Sequence, residues 1–113
     1  MLETGEYYIG DLCYVIEDWD MFCAEALDDE GEFLLSNGVK GCYFLTRFGD
    51  GTYSDQNGGI YPVDAGLIGC IRTDIIEVSK ESVGFGVVVT FESDFLCFKQ
   101  DGVLNFGHIR IRT

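Results

Sequence analysis

Nucleophilic chemistry in this chain would have to come from His108 or from five cysteines, Cys13, Cys23, Cys42, Cys70 and Cys97. His108 is the only histidine, and it sits in Asn105-Phe-Gly-His-Ile-Arg110, a run that reads as a strand. No two cysteines stand at CxxC spacing, and each has apolar neighbours, so neither a reactive thiolate nor a zinc site is marked. Calcium would need acids at alternate positions and a closing Glu, which the loop from Asp50 through Asp55 to Asn57 lacks. Gly58-Gly59 and Gly84-Phe-Gly86 lack the rest of any phosphate-binding pattern. Acid–base work needs carboxylates whose surroundings shift their protonation. Asp11 and Asp64 lie among glycine and apolar residues, but such an Asp usually serves a turn by accepting backbone N–H bonds. No catalytic residue, cofactor or metal is therefore assigned. The enzyme alternative is a small hydrolase or isomerase with Asp11, Asp64 or His108 in a pocket.

The strongest chemical signal is charge. Glu17, Asp18, Asp20, Glu25, Asp28, Asp29, Glu30 and Glu32 fall within sixteen residues, and no Lys or Arg precedes Lys40. The whole chain carries 20 acids against 7 bases, a net charge of −13, while Arg110-Ile-Arg-Thr113 holds two bases and no acid. Such a molecule repels nucleic acid and anionic membrane and attracts cationic surfaces. Carboxylates on a rigid surface can imitate a phosphate array and steer fast association with a basic cleft. Phage inhibitors of host defence nucleases, anti-CRISPR proteins among them, and immunity proteins against nuclease toxins use that physics. The expected partner is thus a basic protein surface, that of a nucleic-acid-processing enzyme, contacted through Asp18, Asp20, Glu25, Asp28, Asp29, Glu30 and Glu32. Trp19 would be the aromatic anchor, because charge alone raises on-rate more than affinity. The plainer alternative is an acidic structural or adaptor protein whose charge only keeps an aromatic-rich domain soluble.

The elements that must position these groups are short. The chain of 113 residues is the size of one domain, and 47% of it is apolar, which suits a folded core. Fifteen glycines punctuate apolar runs, as turns do in an antiparallel sheet. Strands are predicted over 7–9, 13–16, 33–35, 42–48, 52–54, 60–63, 67–72, 75–78, 84–91, 95–99 and 103–112, with Gly49-Asp50-Gly51 as a hairpin signal and 84–91 expected to pair with 95–99. One segment departs from this pattern: Trp19, Phe22, Cys23, Ala26 and Leu27 recur at helical spacing. Asp18 is its predicted N-cap and Gly31 its stop. The expected fold is a single α+β domain, a twisted antiparallel sheet or partly open β-barrel with one amphipathic helix near residues 18–28.

Tyr8-Ile-Gly-Asp-Leu-Cys-Tyr-Val15, Gly49-Asp-Gly-Thr-Tyr53 and Val63-Asp-Ala-Gly-Leu-Ile-Gly69 resemble segments of small uncharacterised phage and bacterial proteins. The resemblance implies a mobile-element origin and carries no activity or site residue with it. The start, Met1 to Glu6, has no basic or apolar segment of a signal peptide, and no apolar run is long enough to span a membrane. Cytoplasm, that of a phage-infected host included, is the expected location, with all five thiols reduced and mostly buried.

Overall fold

The structure is a computed structural model that describes residues 1–74 and 85–113. The strand expected over 75–78, and the first residue of that expected over 84–91, lie outside the described residues. Among the described residues ten strands form two five-stranded antiparallel sheets, neither closed into a barrel. The first sheet runs β2-β3-β6-β1-β7, from Gly31–Leu34, Lys40–Leu45, Leu67–Arg72, Gly5–Gly10 and Gly86–Phe91. The second runs β5-β4-β10-β9-β8, from Ile60–Val63, Gly51–Asp55, Ile109–Arg112, Val103–Phe106 and Cys97–Gln100. One helix, α1 (Trp19–Ala26), completes the α+β fold.

Side chains alternate faces along each strand, so one strand can feed two cores. Tyr7, Ile9, Cys42, Ile68 and Cys70 point between the sheets and meet Tyr61, Val63, Leu104, Phe106, Ile109 and Ile111. Tyr8, Tyr43, Leu67 and Ile71 point the other way and receive Phe22 and Ala26 of α1, with Leu12, Val15 and Ile16 beside them. The first sheet is thus apolar on both faces and forms the middle of three layers. The second sheet turns its other face outward. Phe22 sits edge-on to Phe33 and Tyr43 at 5.3 Å from each, an arrangement the ring quadrupole favours.

Several sequence expectations are corrected. The run 13–16 is no strand; a 3₁₀ turn spans Leu12–Tyr14, because Asp11 accepts the Cys13 N–H and folds the chain back on itself. The helix spans Trp19–Ala26, as expected near residues 18–28, but Gly31 opens β2 instead of ending α1. Gly49-Asp50-Gly51 joins β3 to β4 across the two sheets, so it is no hairpin between paired strands. The runs before and after residues 92–94 likewise pair in different sheets. The run 103–112 is two strands, not one. Gly107 turns with a φ of +58°, where an L side chain is disfavoured, and His108 lies in that turn. Among the described residues no helix is long and apolar enough to cross a membrane.

Candidate functional site

The two carboxylates nearest an acid–base chemistry have other work. Asp11 is completely buried, and its Oδ1 accepts the Cys13 N–H at 3.0 Å. Its Oδ2 accepts the Asp64 and Ala65 N–H groups at 2.8 and 2.7 Å, which ties the start of the 3₁₀ turn to the β5–β6 connection. Three backbone donors on a completely buried carboxylate make it a structural acceptor that faces no open pocket. Asp64 itself is exposed and accepts the Tyr14 hydroxyl. Burial first, and then that bond, push the Tyr14 phenol up and hold it protonated. Cys13 is half-buried, and burial with the Asp11 carboxylate pushes its thiol up to about 12, so it is no nucleophile near neutral pH.

His108 is remote from that pair. Its ring is exposed beside Phe91, 5.4 Å between centroids, and makes no hydrogen bond to a described residue. Phe91 lies opposite Gly5, whereas Asp11 follows Gly10. Five residues of strand, roughly 17 Å, separate the two ends. The structure therefore does not bring His108 together with Asp11 or Asp64. The five cysteines are free thiols: Cys42 and Cys70 are buried, while Cys13, Cys23 and Cys97 are half-buried. A contact with Cys97 and burial hold the Cys42 thiol protonated, and burial does the same for Cys70.

The acidic segment is built around α1. Asp18 caps the helix by accepting the Met21 N–H at 3.1 Å, and Asp20 sits in the first turn, where the helix dipole favours an anion. Trp19 is half-buried and stacks on Phe22 at 4.8 Å, leaving part of its ring at the surface. Trp19, Cys23 and Leu27 follow one another at i, i+4 and i+8, so a partly exposed apolar stripe runs beside Asp20 toward Asp28 and Asp29.

The seven predicted contact acids do not share one face or one state. Glu25 accepts the Ser36 N–H at 2.7 Å and the Ser36 hydroxyl at 2.8 Å, pinning the β2–β3 turn to the helix. Glu30 accepts the Leu45 N–H at 2.7 Å and pairs with Lys99 at 2.6 Å, joining the two sheets at one edge. Glu32 lies opposite Cys42, on the sheet face turned away from α1, and pairs with the Met1 ammonium at 2.7 Å. Asp20, Asp28 and Asp29 are exposed, and their carboxylates make no hydrogen bond or ion pair with a described residue. Sequence periodicity could not separate these groups, because it says nothing of tertiary partners such as Lys99. Comparison with protein families, with characterised proteins and with solved structures found no match.

Proposed function

We propose that this chain is a protein-binding inhibitor, and no enzyme, that places its helix-side carboxylates on the basic nucleic-acid channel of a nucleic-acid-processing enzyme. One observation carries the reading. The carboxylates of Asp20, Asp28 and Asp29 stand exposed, with no partner among the described residues, around a partly exposed Trp19–Leu27 stripe, on a molecule of net charge −13. Carboxylates already bonded within the fold would have to give up those bonds to bind; the ones at either end of α1 would not. The apolar stripe supplies the desolvated anchor that an ion-paired rim alone does not. Asp18 and Glu25 border the patch and hold its shape. Glu30 and Glu32 serve the fold. Anti-defence proteins of phages and immunity proteins against nuclease toxins are the classes this reading fits.

A panel of purified nucleases, helicases and polymerases tests the proposal. At least one enzyme should be inhibited, in competition with its nucleic acid. The inhibition should weaken steeply with added salt, because exposed charges are screened beyond about 8–10 Å near physiological ionic strength. Inhibition insensitive both to salt and to competing nucleic acid would reject the proposal.

A further inference from the structure

We propose that Cys42 and Cys97 form a redox-modification site, in which peroxide joins the two thiols in a disulfide that ties the first sheet to the second. The thiols come from opposite sheets. Cys42 lies on β3, directly across from Cys70 on β6, and both side chains point into the space between the sheets. Cys97 opens β8, at the edge of the second sheet, and packs against that same core. There it touches Cys42. Three of the five cysteines thus meet in one place, although they are far apart in sequence. Cys13 and Cys23 belong to the 3₁₀ turn and to α1, which pack on the other face of the first sheet, out of reach of the cluster.

The backbone geometry suits a bond here. Facing sheets ordinarily lie about 10 Å apart, whereas the Cα atoms of a disulfide stand at most about 7 Å apart. At this edge the sheets draw together, and Cα atoms of β3 and β8 come within 8 Å of each other. With the thiols already in contact, closing the bond asks for side-chain rotation rather than movement of a strand. A metal is not the better occupant: among the described residues no group of three or more His, Cys, Asp or Glu is arranged to hold one.

The chemistry balances with one molecule of hydrogen peroxide. Cys97 is half-buried and the outermost of the three, while Cys42 and Cys70 are completely buried. The Cys97 sulfur, as thiolate, attacks the peroxide and breaks its O–O bond. The sulfur is oxidised to a sulfenic acid, and the hydroxide that leaves takes up a proton to become water. The Cys42 sulfur then attacks the sulfenic sulfur. The S–S bond forms, the S–OH bond breaks, and the Cys42 proton leaves with that hydroxyl as a second water. Two thiols and one peroxide become one disulfide and two waters. Contact with Cys97 and burial hold the Cys42 thiol protonated, so the bridge closes slowly and answers to sustained oxidation rather than to a brief pulse. Linking residues 42 and 97 closes a long loop of the unfolded chain and should raise the thermal midpoint by about 5 °C or more.

Peptide mapping of the wild-type chain tests this. Cleavage after Lys and Arg puts the cluster into separate tryptic peptides: Cys42 in 41–47, Cys70 in 48–72 and Cys97 in 81–99, with Cys13 and Cys23 in 1–40. The folded chain is held in excess hydrogen peroxide, its remaining thiols are blocked with N-ethylmaleimide in acidic denaturant, and it is digested without reductant. Peptides 41–47 and 81–99 should appear joined, two hydrogens lighter than the sum of the two, and should separate on reduction. Absence of that joined pair overturns the proposal, as does a bridge chiefly between other cysteines or a joined pair confined to covalent dimers. Peroxide should also raise the thermal midpoint of the wild type and leave that of Cys97→Ser where it was. An equal rise in a folded Cys97→Ser chain overturns the proposal, because the gain then has another source. Should Cys97→Ser fail to fold, the wild-type map decides alone.

Discussion

Individual residues decide what chemistry is left open, and the buried carboxylate is the clearest case. Asp11 was legible in the sequence as a turn carboxylate, since Gly10 before it and apolar residues after it leave it little else to do. What the sequence could not show is the remote half of its work, the Asp64 and Ala65 amides. Asp11→Ala should cost about 3 kcal/mol in urea denaturation, because buried donors to a charged acceptor lose their partner. A loss under about 1 kcal/mol would mean that water replaces the carboxylate. Asp55 gives a pH signature. Burial alone would raise its carboxyl, but the Tyr61 hydroxyl and the Gly59 and Asn57 amides outweigh this and hold it below the usual range. A carboxylate lowered by folding adds stability that is present above the ordinary value near 4 and is lost as pH falls through the folded value. Wild type should therefore exceed Asp55→Asn by about 1–2 kcal/mol at neutral pH, with the gap closing below about pH 4. A gap that persists in acid would contradict the assignment.

Among the elements, the helix was readable because Phe22 and Ala26 recur on one face, and the structure buries both. The segment after Asp11 was misread because an apolar run of four looks the same in a strand and in a 3₁₀ turn; only the side-chain bond to the Cys13 N–H separates them. Strand pairing was misread at Gly49–Gly51 for a similar reason: a glycine-rich turn reverses the chain but does not say which sheet receives it. The 3₁₀ turn packs closely on the middle layer where it crosses β6. A Cβ on Gly69 would come within 2.5 Å of Leu12 Cδ1 and 2.8 Å of the Cys42 carbonyl oxygen. Leu12 can shift, but the strand carbonyl cannot without loosening the β3–β6 pairing. Gly69→Ala should cost about 1–3 kcal/mol by overpacking, read as a lower urea midpoint with an unchanged slope. An unaffected midpoint would show that the turn is free to lift off the sheet.

At the scale of the molecule, charge and layering act together. The sequence shows eleven acids before the first base, but it cannot show that several of them are spent on the fold: Glu25 on Ser36, Glu30 on Lys99, Glu32 on Met1. Those bonds lie in different layers and depend on tertiary neighbours far along the chain. What remains, among the described residues, is a three-layer molecule whose α1 side bears carboxylates without a partner and whose opposite sheet face bears Arg110 and Arg112. The central claim is that Asp20, Asp28 and Asp29 make the contact. The most direct measurement is the affinity of the triple variant Asp20→Lys, Asp28→Lys, Asp29→Lys for an enzyme the wild type inhibits. Glu30→Gln with Glu32→Gln, which makes the net charge less negative but leaves the three aspartates in place, is the comparison. The triple variant should bind about a hundredfold or more weakly, each reversed close pair costing on the order of 1 kcal/mol or more, while the comparison chain changes by less than about tenfold. A folded triple variant that binds as tightly as wild type would contradict the account.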